Sequence, residues 1–300
     1  MTQQSNRVRS IRSGLVLAIV VAASLLAGQG MGSAAAQSRA PAPTMIYDCT
    51  GLQAMRNNLA GHYVLANDIN CYGTPSWNGG LGFEPIGQIS SNFTGIVEGR
   101  GHWVGGLYIN RPDATYVGLF GYTGPEADIM DVHLVEVNIT GREQVGGLVG
   151  ANHGAISGCL SAGSVSGTLG IVGGLVGFST GPVYHSHSSA TVGGAADIHS
   201  TGGLIGENRG VVYRSYASGS VSGENRVGGL VGANTSGTIS QCFATGTVTG
   251  GNGKSGGLAG SNQYTNAIIV DSYATTTVIG GTGAYAGAGG LLGVNGGTGL

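Results

Sequence analysis

Two rows of hydroxyl side chains recur in the second half of this 300-residue chain. Thr247 and Thr277 belong to one row, and Thr245 and Thr275 belong to another, two residues earlier. Preceding segments continue the rows with Ser164, Thr191 and Ser220, and with Ala162, Ser189 and Ser218. If both rows point to solvent from neighbouring β-strands, their hydroxyls form an array with spacings of about 7 Å and about 4.8 Å. Such an array offers regular donors and acceptors to water or sugar, although Ser and Thr are also common on any exposed β surface.

A row of large side chains runs beside the hydroxyl rows. It comprises Leu160, His187, Tyr216, Phe243 and Tyr273. If Tyr216, Phe243 and Tyr273 face outward, they form a surface on which a sugar or peptide can stack. If they face inward they are core, which is the more common position for such residues. Glycine-rich corners blur the alternation of a strand, so the sequence leaves the direction of this row open.

The histidines and acidic residues offer little for metal or catalytic chemistry. None of the seven histidines is followed by glutamate, which the His-Glu-x-x-His motif of zinc proteases requires. His185 and His187 are two residues apart on an expected strand, so they would share a face. With His199 or His153 they could bind a metal; the alternative is two exposed substitutions in a degenerate segment. The acidic residues share no position in adjacent repeats, whereas glycoside hydrolysis needs two carboxylates at a defined separation. We therefore predict no catalytic residue, no metal site and no cofactor.

A short tag, Gly-Leu-hydrophobic-Gly, occurs seven times from Tyr116 onward. The tags occupy residues 118–121, 147–150, 174–177, 203–206, 229–232, 257–260 and 290–293. Their leucines are 29, 27, 29, 26, 28 and 33 residues apart. A period in this range indicates stacked supersecondary units, each of which buries its apolar face against its neighbours.

Each repeat contains three short strand patterns: the tag, an Ile-Ser-x-Ser/Cys-Tyr segment and a Ser/Thr-Val-Ser/Thr segment. None has helical periodicity, and β-branched residues bounded by glycine favour strands. We interpret the asparagines that follow five of the tags as a structural ladder at a turn. They are Asn152, Asn208, Asn234, Asn262 and Asn295. The predicted fold is all-β, a parallel β-solenoid with coils of about 26–33 residues, right-handed by the usual crossover rule.

The segment before the first tag differs from the repeats, and we expect it to cap the open end of the solenoid core. A short helix is predicted over residues 52–59. Cys49 and Cys71, 22 residues apart, are predicted to form a disulfide, as suits an exported protein. Cys159 and Cys242 occupy the same repeat position three coils apart, about 14 Å at the usual strand spacing. Disulfides need closer Cα atoms, so these two thiols are predicted to stay unpaired.

Composition and the N-terminal segment predict an ordered, exported protein. With 41% hydrophobic residues and a net charge of −2, the chain differs from disordered sequences. Twelve Lys and Arg residues provide no basic patch for nucleic acid. Three arginines precede an apolar run over residues 15–27, and Ala34-Ala35-Ala36 fits a signal cleavage site. The run is short for a membrane anchor, and we predict no transmembrane segment in the mature chain.

The tag and the Ser-Tyr-Ala-Thr-Gly-like strand after it resemble the GLUG-repeat family, which takes its name from the tag. Residues 63–69 and 93–102 resemble the lead-in found before such repeats, so the resemblance covers about residues 46–300. It implies a secreted or surface-exposed β-helical region, often within large adhesin-like proteins. Similar repeats also accompany the catalytic domain of some immunoglobulin-cleaving metallopeptidases. The family motif carries no known catalytic residue, and this chain departs from the pattern at Phe178-Ser179.

These observations predict a signal peptide over residues 1–36, a head or cap over 37–111, and a repeat solenoid over 112–300 whose last coil is incomplete. We expect an exported, extracellular or cell-surface protein, with the periplasm as an alternative, that acts without catalysis as an adhesin-like or spacer module. One alternative is an ice- or carbohydrate-binding protein that uses the hydroxyl or aromatic row. Another is a β-helical carbohydrate-active enzyme or an accessory region of a surface metallopeptidase. The expected partners are an unidentified surface glycan or protein and a partner that covers the open C-terminal strand edge.

Overall fold

The computed structural model describes residues 42–194, 198–282 and 286–297. Strands make up 55% of the structure and helices 6%, and the strands stack as a parallel solenoid of about six coils. The predicted all-β parallel solenoid is confirmed, and its right-handed sense stays a prediction. The predicted signal peptide, residues 1–36, lies outside the described residues. The boundary at residue 111 stays a prediction.

Three sets of parallel strands run along the stack, named here sheets A, B and C. Sheet A begins in the head and continues through the repeats with one strand in each coil. Its strands are Thr44–Ile46, His62–Leu65, Ile96–Glu98, Asp128–Met130, Ala155–Ser157, Val183–Tyr184, Val211–Tyr213, Thr238–Ser240 and Ile268–Val270. Val212 pairs with Val183 and Ile239, so each coil places one apolar side chain of this sheet at the equivalent position in the core.

Sheet C contains the strands that begin at the third residue of each tag. Its strands are Phe120–Tyr122, Val149–Asn152, Val176–Ser179, Ile205–Asn208, Val231–Asn234, Ala259–Asn262 and Leu292–Asn295. Val231 pairs with Ile205 and Ala259, and Asn234 pairs with Asn208 and Asn262. Each tag therefore places its own apolar residue and the following asparagine in register with those of its neighbours.

Sheet B contains the remaining strands. Its first coils use two long strands, Tyr108–Val117 and His133–Gly146, and later coils divide the same path among shorter strands. The shorter strands are Ile69–Asn70, Trp103–Gly105, Leu160–Gly167, Gly170–Gly173, His187–Ser188, Thr191–Gly194, Ile198–Gly202, Tyr216–Ala217, Val221–Gly223, Arg226–Gly228, Phe243–Ala244, Thr247–Gly250, Lys254–Gly256, Tyr273–Ala274, Thr277–Ile279 and Gly287–Gly289.

The tag turns the chain from sheet B into sheet C, and close backbone contact explains its second glycine. A Cβ atom on Gly232 would lie 2.6 Å from the carbonyl oxygen of Gly206 and 2.6 Å from the backbone nitrogen of Thr201. These distances are too short for any side chain. Leu230, inside the same tag, is fully buried. The tag thus combines a core anchor with a site where a sheet B strand lies directly against sheet C.

One continuous hydrophobic core extends from Ile46 in the head to Ile269 in the repeats. The tag leucines from Leu119 to Leu258 are at most 1% exposed. Each contributes about 1.5–3 kcal/mol by leaving water. Because each coil covers the core of the next, this stabilisation is shared between neighbouring coils.

The asparagines that follow the tags form a buried hydrogen-bonded ladder. The Nδ2 atom of Asn208 donates to Oδ1 of Asn234 at 2.9 Å, and Asn234 donates to Asn262 at 2.8 Å. Asn234 also donates to the carbonyl oxygen of Gly237 at 2.9 Å, which closes the turn. Asn208, Asn234 and Asn262 are fully buried. The interpretation as a structural ladder is therefore confirmed.

The two repeat cysteines belong to a second buried ladder, at a corner between sheets A and B. The backbone nitrogen of Cys159 donates to Ser186 Oγ at 3.1 Å, and that of Ser215 donates to Cys242 Sγ at 3.5 Å. Ser186 and Ser215 stand between the two cysteines, and the backbone nitrogen of Ser186 donates to Ser215 Oγ at 3.1 Å. Both thiols are free and buried, so the predicted unpaired state is confirmed.

The head shares the core of the repeats. Asp48 caps the helix Cys49–Ala54 by accepting from the backbone nitrogen of Gly51 at 2.7 Å, and a 3-10 turn, Met55–Asn57, follows. The helix begins earlier than predicted because the Asp48 side chain satisfies one of its first free N–H groups, that of Gly51. Cys49 and Cys71 form a disulfide with Cα atoms 5.3 Å apart. A second 3-10 segment is Thr74–Gly80. Among the described residues, no helix has the length and apolarity needed to cross a membrane.

Candidate ligand-binding face

The hydroxyl rows point to solvent from sheet B. In the strand Thr247–Gly250, Val248 is fully buried, Thr247 is half-buried and Thr249 is exposed. The neighbouring coils repeat this alternation, with Val221 buried and Ser220 exposed. Because successive side chains of a strand lie on opposite faces, alternate hydroxyl residues share the outer face.

Strand pairing brings the rows of adjacent coils into register. Thr247 pairs with Thr277, and Ser164 pairs with Thr191. In the earlier row, the backbone nitrogen of Thr245 donates to Ala217 at 2.8 Å and that of Thr275 donates to Ala244 at 2.9 Å. The structure therefore brings the four predicted threonines together as a two-by-two array.

We name this outer surface the hydroxyl face. Its members are Ser189, Thr191, Ser218, Ser220, Thr245, Thr247, Thr275 and Thr277. Each hydroxyl can donate one hydrogen bond and accept two, and no member carries a charge. The face is therefore suited to uncharged partners that present many hydroxyl groups.

A third row was missed by sequence reasoning. Ser222 pairs with Thr249, and both side chains are exposed beside the hydroxyl face. The repeated Ser/Thr-Val-Ser/Thr pattern contained this signal, since its third residue must share a face with its first.

The aromatic row also faces outward, and its rings stack on one another. Tyr216 lies 4.8 Å from Phe243 with ring planes 3° apart, and His187 lies 4.6 Å from Tyr216 with planes 8° apart. Phe243 and Tyr273 follow at 5.3 Å and 8°. The next residue of each strand, such as Ala217 or Ala244, is fully buried. The outward direction is thus decided, but the faces of Tyr216 and Phe243 are covered by neighbouring rings.

The prediction that His185 and His187 share a face is wrong. His185 has a φ angle of 49° and lies at a corner, after one strand ends at Tyr184 and before the next begins at His187. His185 contacts Tyr213, with ring centroids 5.9 Å apart, whereas His187 stacks on Tyr216. The described part of the chain has no group of three or more His, Cys, Asp or Glu residues arranged to hold a metal ion.

Two carboxylates of the head are engaged by cationic side chains. Glu98 accepts from His62 Nε2 at 2.7 Å and from Arg100 at 3.1 Å, and its pKa is lowered chiefly by the hydrogen bond to His62. Glu84 pairs with Arg56. Each of these carboxylates is therefore paired with a cation, an arrangement typical of surface ion pairs.

The chain resembles known proteins in sequence. Residues 223–249 match the GLUG motif, which confirms the resemblance to that family. Halomucin from Haloquadratum walsbyi is 38% identical over 144 residues, covering 46% of this chain. A Gly-rich membrane protein from Evansella cellulosilytica is 36% identical over 121 residues, covering 38% of this chain. The chain spans 2% and 14% of the lengths of these two curated relatives.

Two solved structures share the fold. One is a Bacteroides ovatus protein whose crystal structure is described as that of a candidate immunoglobulin A1 protease, with a TM-score of 0.55 and 19% identity over 86% of this chain and 75% of that one. The other is an IgA1 protease, with a TM-score of 0.57 and 17% identity over 84% of this chain and 21% of that one. At these identities the similarity concerns the fold alone.

Proposed function

We propose that this chain is a non-enzymatic, exported β-solenoid that serves as an adhesin-like surface module and binds neutral carbohydrate through the hydroxyl face. The observation that carries the proposal is the in-register array of Thr245, Thr247, Thr275 and Thr277 on the outside of a rigid stack. A polysaccharide presents many uncharged hydroxyl groups along its length. A flat surface of regularly spaced donors and acceptors complements such a ligand.

The relatives support a location at the cell surface. One relative is named as a membrane protein and the other as halomucin, and both are longer than this chain. The GLUG motif at residues 223–249 supports a repeat module, since stacked repeats act by presenting an extended surface. The predicted signal peptide, residues 1–36, adds the route to that location.

Three features favour binding over catalysis. Glu84 and Glu98 are paired with cations, the hydroxyl face has no ionisable member, and the repeats carry no carboxylate pair at a shared position. The likeness to two structures described as IgA1 proteases is the observation that favours a second candidate, an accessory region of a peptidase. In that case the same face would bind the substrate of an attached catalytic domain.

The test is binding of residues 37–300 to cellulose, chitin, amylose and dextran by sedimentation and calorimetry. A quadruple mutant with Thr→Val at residues 245, 247, 275 and 277 removes the hydroxyls and keeps the side-chain shape. We expect it to weaken binding by at least about tenfold, since each lost hydrogen bond is worth about 1 kcal/mol. The matched quadruple Thr→Ser mutant keeps every hydroxyl, and its affinity should be within about threefold of that of the wild type.

Two controls separate the other functions. Thermal hysteresis in the wild type together with absent glycan binding would assign the face to ice instead of carbohydrate. Release of sugar or cleavage of IgA1 by the purified chain, abolished by changing one carboxylate or histidine, would show that the chain is an enzyme. No binding to any of the four glycans by a folded chain would overturn the carbohydrate assignment.

A further inference from the structure

A positively charged groove runs along four successive coils, on strands other than those of the hydroxyl face. Its volume is about 720 Å³, and one wall contains His199, Arg226 and Lys254 from the strands of sheet B that precede the tags. The opposite wall contains Ser261 and Gln263, from and just after a strand of sheet C. The groove exists because the tag folds each sheet B strand back against sheet C. A Cβ atom on Gly260 would lie 2.5 Å from the backbone nitrogen of Val227.

Two like charges stand in register inside this groove. Arg226 pairs with Lys254 in the parallel ladder, and both side chains are half-buried. Like charges at directly opposite positions of adjacent strands destabilise a sheet. Within the described residues, no carboxylate lies within 4 Å of either cation. The polar contact of Arg226 is a hydrogen bond from its Nε atom to the carbonyl oxygen of His199 at 3.2 Å.

Two described carboxylates of these coils are engaged elsewhere. Glu224, two residues before Arg226, accepts from the backbone nitrogen of Asn252 at 3.2 Å. Glu207, on the strand of sheet C two coils before Ser261, forms an ion pair with Arg209 at 2.8 Å. Within the described residues, an anion from outside the chain would therefore displace no carboxylate from Arg226 or Lys254.

The opposite wall adds neutral polar groups. Gln263 donates from Nε2 to Ser261 Oγ at 3.0 Å, and this hydrogen bond orients the amide of Gln263. Ser261 is buried and Gln263 is half-buried, so the amide of Gln263 is the group on this wall that can bind a sugar hydroxyl next to a charged substituent. A nucleic acid is a poorer match, because its affinity depends on neutralising a long run of phosphates, and this groove has two permanent cations.

We propose that the groove binds the carboxylate or sulfate groups of an acidic polysaccharide, with Arg226 and Lys254 as the anion-binding residues. This site is separate from the hydroxyl face and does not depend on what that face binds. Two adjacent coils supply the two cations at the spacing of neighbouring strands, about 4.8 Å.

The test measures binding of residues 37–300 to polygalacturonate, which carries carboxylates, to heparin, which carries sulfates, and to neutral dextran. The change Arg226→Gln with Lys254→Gln should weaken binding to the acidic polysaccharide by at least about tenfold, since hydrogen bonds to charged groups are worth about 1.5–3 kcal/mol each. The matched control, Arg142→Gln with Arg214→Gln, removes the same net charge elsewhere in the repeats and should bind within about threefold of the wild type.

A gain-of-function variant guards against misfolding of the double mutant. Gln263→Lys adds a third cation to the opposite wall, and it should tighten binding to the acidic polysaccharide by about threefold or more. Binding should also weaken between about 20 mM and about 500 mM salt, because the cations are only half-buried. Equal losses in the two double mutants would overturn the proposal. It would also be overturned if the wild type bound DNA more tightly than either acidic polysaccharide, or if it bound neither polysaccharide at low salt.

Discussion

The rings of Tyr216 and Phe243 lie parallel across two neighbouring coils, with centroids 4.8 Å apart. His187 covers the other face of Tyr216, and Tyr273 covers the other face of Phe243. A sugar ring therefore cannot stack on either inner ring. The aromatic row acts as a contact between coils, and for this reason the proposed ligand surface is the neighbouring hydroxyl face.

Removing a ring from the middle of the ladder should weaken the fold. Phe243→Ala loses two stacked pairs, each worth about 0.5–1.5 kcal/mol beyond area burial, so we expect a loss of about 2–4 kcal/mol in the free energy of unfolding. Urea denaturation measures this loss. Tyr47→Ala, at a side chain that is 63% exposed, is the control and should change stability by less than about 0.5 kcal/mol. A similar loss in both variants would contradict a structural role for the ladder.

The buried asparagine ladder should be sensitive at its centre and tolerant at its end. Asn234→Leu removes the acceptor for Asn208 and leaves Asn262 Oδ1 and the Gly237 carbonyl oxygen without this donor. Unsatisfied buried groups cost about 1–3 kcal/mol each, so we expect a loss of about 2–5 kcal/mol by urea denaturation. Asn295→Leu changes an exposed member of the same ladder and should cost less than about 1 kcal/mol. Equal costs would argue against the ladder.

The second glycine of a tag should not accept a methyl group. Gly232→Ala would place Cβ 2.6 Å from backbone atoms of Gly206 and Thr201. Because backbone must move, we expect a loss of about 3 kcal/mol in thermal or urea unfolding. Gly73→Ala is the matched control, since nothing lies within 4 Å of its Cβ position and its φ angle is −79°. A tolerated Gly232→Ala would show that sheets B and C can separate at the tag.

The repeat thiols should be unreactive in the folded protein. Burial raises the pKa of Cys159 to about 12 and that of Cys242 to about 11. Since the thiolate is the reactive form, Ellman's reagent at about pH 8 should label the folded chain at least about 100-fold more slowly than a free cysteine. Unfolding in urea without reductant should release two reactive thiols. A crosslink between Cys159 and Cys242 would refute the stacked arrangement.

The aromatic ladder should also make stability depend on pH. Burial, with a smaller contribution from His133, lowers the pKa of His187. The unfolded state therefore binds a proton first as the pH falls through about 6.5, so stability is full above that value and falls in acid. His187→Tyr keeps an aromatic ring and removes the charge, and it should flatten the fall in melting temperature between about pH 7.5 and about pH 5. An unchanged slope would contradict the assignment.

His153 provides a second, independent contribution to the same pH dependence. Burial lowers its pKa as well, and it packs against Tyr122 at 4.8 Å. Adding His153→Gln to His187→Tyr should therefore flatten the slope further. If the double variant keeps the slope of the single one, His153 does not titrate in this range.

The sequence by itself determined the stack. Seven regularly spaced tags require stacked coils, each of which buries its apolar face against its neighbours. The turn asparagines and the unpaired cysteines followed from the same register, because in a parallel stack equal repeat positions become neighbours. These features are local or periodic, and a comparison of the repeat sequences contains all the information they need.

The tertiary structure alone decided three other features. The aromatic row faces outward because Ala217 and Ala244 occupy the inner positions beside it, whereas residue type alone favoured the core. His185 and His187 separate because the chain turns at His185 with a positive φ angle. The total charge of the chain gave no sign of the groove, since Arg226 and Lys254 become neighbours only when the coils stack. Gln263 lies opposite them because the glycine of the tag lets sheets B and C approach without side chains between them.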